Sequence, residues 1–212
     1  MKIDWVTVSS LATAAGTLVL AVATFAAVRS ANRAARAAEL AFQVGLRPLL
    51  LPSQLEDTAQ KVHFVDGKWV MTPGGSGVAE VDDNGVYLTL SLRNVGRGLA
   101  VLHGWRVYPD RRFIEGEGHP PVEGFRRLSR DLYVPVADVG FWQGALRDPA
   151  DPDFAPAKES AESHFPMTVD LLYGDHEGGQ RVISRFVLLP RGDSGWLANV
   201  IRHWNVDRPD PR

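Results

Sequence analysis

The chain has 212 residues, 23 basic and 25 acidic side chains, a formal net charge of −2 and no cysteine. Without a thiol, neither a disulfide framework nor a thiolate metal site can form. The charge is unevenly placed, net +3 over residues 29–47 and net −5 over residues 48–212, so the larger part lacks the basic face that nucleic acid requires.

Trp5 to Val28 is a run of 24 residues without one charged side chain. As a helix it reaches roughly 36 Å, enough to cross a hydrocarbon core of about 30 Å. A cleaved signal peptide wants a basic start and a shorter apolar run, whereas here only Lys2 precedes, balanced by Asp4. Arg29, Arg33 and Arg36 follow at once, and positive charge beyond an apolar segment holds that end in the cytoplasm. Residues 1–28 are therefore expected to be a single-pass anchor in the cell membrane. The N-terminus would lie outside and everything after Val28 in the cytoplasm. Ser9, Thr13, Thr17 and Ala21 recur every four residues, the small-residue spacing through which two such helices can associate.

Residues 29–47 keep the helical pattern until Gly45 and Pro48 stop it, giving a juxtamembrane stalk. Its arginines Arg29, Arg33 and Arg36 would lie beside the lipid headgroups. There each adds about 1 kcal/mol of attraction to an anionic bilayer, the first expected partner.

After Pro48 the period changes to alternation, and residues 48–206 are expected to form one β domain. Leu49–Leu55 reads as a first strand, and Asp66-Gly67 as the turn of a hairpin between Val62–Val65 and Lys68–Met71. Past the Asn84-Gly85 turn, Val86, Leu88, Leu90 and Leu92 point one way, and Tyr87, Thr89, Ser91 and Arg93 the other. Leu99–Tyr108, Met167–Tyr173 and Arg181–Leu189 are further strands. Short strands between turn signals predict a mainly β fold, an antiparallel β-sandwich. Trp196, Leu197, Val200, Ile201 and Trp204 share one helical face after Ser194, which predicts a C-terminal amphipathic helix. Residues 207–212 read as a disordered tail.

Arg47-Pro48, the run Asn94-Val95-Gly96-Arg97-Gly98-Leu99-Ala100 and Tyr173-Gly174-Asp175 carry a resemblance. In these segments the chain resembles a group of bacterial single-pass membrane proteins with an N-terminal helix and a small immunoglobulin-like β domain. The large excess of arginine over lysine, 19 to 4, also suits a GC-rich bacterial genome. The resemblance implies an immunoglobulin-like sandwich and brings no activity, cofactor or catalytic residue. The chain departs from that pattern after Tyr108.

Residues 109–164 separate two strands by far more than the usual four to six residues, and such insertions commonly carry function. Pro121 could start a short helix that buries Phe125, Leu128 and Leu132. Arg126, Arg127 and Arg130 would then project together towards a phosphate, an acidic protein partner or the membrane surface. Their alternative role is to pair with the segment's eleven acidic residues. Trp142 is the other expected contact residue.

No metal ligand set, cofactor motif or catalytic residue emerges from the pattern. Asp175, His176 and Glu177 make a candidate acid–base or metal cluster, but they sit in a Gly-flanked turn where polar residues belong anyway. Gly96-Arg97-Gly98 precedes a strand and so lacks the helix N-terminus of a phosphate loop. The expected function is a membrane-anchored β domain that binds a protein partner or the membrane surface. The alternative is a hydrolase-like or metal-dependent enzyme with its site between residues 109–164 and the 174–180 hairpin.

Overall fold

The computed structural model describes residues 5–109, 118–192 and 195–209. Lys2, Asp4, Ser194 and residues 210–212 of the expected tail lie outside them. The chain divides into two compact units, Met1–Val44 and Gly45–Arg212.

The first unit is one continuous helix, α1 (Trp5–Gly45), whose 41 residues span about 61 Å. Within Val8–Phe42 an 18-residue window has a mean hydropathy of 2.0 and no burial, a test that membrane spans and signal sequences both pass. Its hydroxyls are compatible with an apolar surrounding. Ser9 donates to the Val6 carbonyl, Thr13 to Ser9, Thr17 to Thr13 and Thr24 to Leu20, at 2.8–3.0 Å, so each donor is satisfied within the helix.

The second unit is mainly β. Among its described residues are β1 (Leu50–Pro52), β2 (Gln60–His63), β3 (Trp69–Thr72), β4 (Ser76–Asp82), β5 (Gly85–Asn94) and β6 (Ala100–Tyr108). These are followed by β7 (Arg126–Val134), β8 (Val139–Leu146), α2 (Phe154–Glu162), β9 (Met167–Gly174), β10 (Arg181–Arg191) and β11 (Gly195–Asn205). Apart from the β2-β3 hairpin they make one curled antiparallel sheet in the order β1-β5-β4-β11-β10-β9-β6-β7, with β8 on β5.

The alternation read in β5 is present, and both of its faces are covered. Val86, Leu88, Leu90 and Leu92 enter the main core with Val169, Leu171, Phe186 and Trp196. On the other face Tyr87 packs with Val62, Phe64 and Val70 of the hairpin, and Thr89 and Ser91 bond Thr72 and Ser53 at 2.6 and 2.7 Å.

The expectation for the C-terminal segment is corrected. The C-terminal segment is strand β11, paired with β10 along its length, and no amphipathic helix forms there. Arg185 faces Arg202 and Phe186 faces Val200, so Ile201 is an extra residue in a β-bulge. Trp196, Ala198 and Val200 face the main core, whereas Trp204, beyond the bulge, joins Leu172 and Ile183 on the opposite face. One inserted residue thus gave a strand the apolar spacing of a helix. Within the expected tail, Asp207 accepts from the Arg181 backbone at 2.7 Å and pairs with its guanidinium at 2.6 Å.

Residues 109–164 likewise hold two strands of the main sheet and α2 rather than a separate insertion. The helix expected from Pro121 is a single 3-10 turn, Val122–Gly124, followed directly by β7. Alternating burial of Leu132 and Val134 and pairing with β6 outweigh its weak helical spacing.

Asn94, completely buried, ties the start of the domain to the β7-β8 turn. Its Oδ1 accepts from Leu49 N at 3.2 Å and Gly96 N at 3.0 Å, and its Nδ2 donates to the carbonyls of Gly98 at 2.7 Å and Val134 at 3.0 Å. Gly96 and Gly98 are glycines because the Leu46–Leu49 backbone crosses them. A Cβ at Gly98 would meet the Leu46 carbonyl oxygen at 1.6 Å, and one at Gly96 the Leu49 nitrogen at 2.4 Å. The paired occurrence of Arg47-Pro48 and Asn-x-Gly-x-Gly in the sequence is therefore one docking joint.

Asn94→Ala strands two buried carbonyls and should cost roughly 3 kcal/mol, read as a lowered unfolding midpoint of the full chain in detergent. Ala137, in the β7-β8 turn, has a φ of 58°. Ala137→Gly should raise stability by up to about 1 kcal/mol in the same measurement.

Candidate functional site

β7 pairs with β6 and β8 with β5, and no register joins β7 to β8 although a four-residue turn connects them. The seam is held at the turn, where Asn94 N donates to the Asp138 carbonyl and Ala137 N to that of Asn94. Away from the turn β7 bows out. Between the pairs Leu102–Leu132 and Gly104–Arg127 it advances five residues while β6 advances two. The surplus residues leave a cleft of about 270 Å³ between β7 and β8.

Arg126, Arg127 and Ser129 line one wall of it, Gln143, Gly144, Ala145 and Arg147 the other, and Phe64 and Trp105 close it. Gly144 is required there, because a Cβ would lie 2.6 Å from the Trp142 ring and 3.0 Å from the Trp105 ring. Those two indoles pack edge to face with centroids 5.4 Å apart.

The charges are tethered unequally. Arg126 forks onto Asp151 at 2.5 and 2.8 Å and reaches Asp153 at 2.6 Å. The Arg126 guanidinium holds the Asp151 carboxyl below its usual range. Arg147 donates from Nε alone, to Asp66 at 2.8 Å, and Asp66 also accepts from the Tyr87 hydroxyl at 2.6 Å. Burial pushes the Asp66 carboxyl up, but Arg147 and Tyr87 together outweigh it and bring it down to about 2. Arg130 donates to Gln143 Oε1 at 2.9 Å and stacks over Phe141 at 5.7 Å. Arg127 is exposed and has no partner among the described residues.

Of the residues singled out in the sequence, Arg126 and Arg127 line this cleft and Arg130 reaches it through Gln143. The expected contact role of Trp142 is corrected: the side chain is fully buried and backs the cleft through Trp105. Asp175, His176 and Glu177 belong to the β9-β10 turn and not to the cleft. Asp175 is buried and accepts from Gly179 N at 3.0 Å, while exposed His176 and Glu177 contact each other at 3.1 Å. Among the described residues no three His, Asp or Glu side chains gather as a metal-holding group. Arg29, Arg33 and Arg36 are exposed along one side of α1 with Phe25 and Asn32.

Sequence reasoning missed Gln143, Arg147 and Asp66. They come from β8, the residue just after it and the hairpin turn, and only the curl of the sheet carries them to β7. Compared with protein-family models, curated proteins and solved structures, the chain matches none.

Asp66 contributes to stability above its unfolded value near 3.8, and that contribution is lost as pH falls through its folded value of about 2. Asp66→Asn should therefore flatten the decline of the unfolding midpoint over this acid window. Near neutral pH it should lower the midpoint, because it removes the anchor of the hairpin turn.

Proposed function

We propose that this chain is a single-pass membrane protein whose β domain faces the cytoplasm and binds an anionic partner through the β7/β8 cleft. The cleft itself carries this reading: three guanidiniums line it, a fourth, that of Arg130, is bonded to its wall at Gln143, and none of the residues lining it is acidic. The topology rests on the uncharged run Trp5–Val28 followed by Arg29, Arg33 and Arg36. Those arginines would hold anionic headgroups, leaving the cleft for the acidic face of a protein or of the membrane surface. The runner-up, an enzyme using Asp175, His176 or Glu177, is disfavoured by their position in a turn away from the cleft.

We also infer that the sheet works as two packed halves. β4 and β11 share just two register pairs, Gly77–Trp196 and Ser76–Leu197, while side chains from both halves meet in one core. That arrangement is a β-sandwich in kind; an immunoglobulin-like strand order rests on the sequence resemblance alone.

The chain has no cysteine, so one introduced thiol reports its side of the membrane. Lys158 is exposed on α2. Lys158→Cys should react with an impermeant maleimide only after cells are permeabilised, and the protein should stay in the membrane through a carbonate wash. Labelling of intact cells would place the domain outside and overturn the topology.

A further inference from the structure

We propose that the β7/β8 cleft is a site for a small tetrahedral oxyanion of the phosphate class, free or as the phosphomonoester of a headgroup. The proposal rests on the cleft-binding reading above and names its ligand chemistry.

Size comes first. A space of about 270 Å³ is smaller than the roughly 300–1,000 Å³ of pockets for drug-sized ligands, so it admits one head group rather than an added strand.

Donors decide the chemistry. The Gln143 side chain is held by Arg130, which donates to its Oε1, so its Nε2 is a donor on the cleft wall with no partner among the described residues. Among the described residues Arg127, both Nη groups of Arg147 and the Ser129 hydroxyl have no hydrogen-bond partner. An acceptor-only ligand is what such a set lacks.

The directions of approach then separate phosphate from carboxylate. Arg127 and Ser129 come from β7, Gln143 from β8, and Arg147 is the residue just after it. A planar carboxylate offers two oxygens, whereas a phosphoryl group offers three acceptor oxygens spread in space. The charge also allows it. Arg126, Arg127, Arg130 and Arg147 outnumber Asp66, Asp151 and Asp153, whose carboxylates are engaged by Tyr87, Arg147 and Arg126. Buried Trp105 and Phe64 exclude water from one side, which strengthens each ionic contact.

The test uses the full chain in nanodiscs of phosphatidylcholine at fixed ionic strength. Inorganic phosphate is titrated against acetate and a polyglutamate peptide, with calorimetry and the unfolding midpoint as readouts. Saturable phosphate binding that weakens about tenfold in Arg127→Gln and severalfold in Ser129→Ala is expected. Both residues are exposed, so their unliganded midpoints should match the parent chain. Nanodiscs doped with a phosphatidylinositol phosphate distinguish the source: a headgroup ligand in the cleft lowers the apparent affinity for free phosphate, and Arg127→Gln abolishes that competition. Equal or tighter binding of polyglutamate would overturn the phosphate assignment while keeping the cleft as an anionic contact. Failure of phosphate, acetate and peptide alike would overturn both readings. Phosphate binding that survives both substitutions would place the site elsewhere and overturn the proposal.

Discussion

The buried carboxamide of Asn94 is the constraint on which the rest of the domain depends. Its two ends make four hydrogen bonds, to the incoming chain at Leu49, to its own turn at Gly96 and Gly98, and to the end of β7 at Val134. Few side chains could do this, because donor and acceptor must sit on one planar group without charge. The incoming backbone lies against Gly96 and Gly98, with Val95 N donating to Leu49 and Arg97 N to Arg47. Removing the amide leaves the Gly98 and Val134 carbonyls and the Leu49 and Gly96 N–H groups without this partner at once.

With one end of the β7/β8 seam held there, the other end is free to open. The surplus of residues in β7 between Leu132 and Arg127 opens it, and Gly144 lets Trp142 and Trp105 fill the space behind. The cleft is thus built by a register irregularity backed by a rigid aromatic floor, as irregular strands often re-aim side chains. Its arginines are supported from outside: Asp151 and Asp153 fix Arg126, and the hairpin turn fixes Arg147 through Asp66.

A second charged arrangement shows what arginine does here when it has only a structural task. Arg185 forks onto fully buried Asp170 at 2.7 and 2.6 Å and lies between the rings of Tyr108 and Trp204. Burial pushes the Asp170 carboxyl up against the pull of Arg185. There both donors of the fork are matched to acceptors. Around the cleft, among the described residues, Arg127 has no partner and Arg147 uses one donor of five. That contrast separates a packed arginine from one left available.

Local pattern alone determined the apolar helix, the β character after Pro48, the inner and outer faces of β5 and the turns at Asp66-Gly67 and Asn84-Gly85. Each follows from side chains a few positions apart, where period and turn chemistry act directly. The same rules misplaced the C-terminal segment, since the bulge at Ile201 shifted alternation into helical spacing. Residues 109–164 also looked separate, because strand partners far away in sequence leave no local period. Arg126, Arg127 and Arg130 were legible as a cluster, and the burial of Trp142 was not. Only the tertiary structure decided that Gln143, Arg147 and Asp66 join those arginines. Their meeting depends on sheet curl and on a five-against-two register between strands, and both are properties of the packed chain rather than of any one stretch of it.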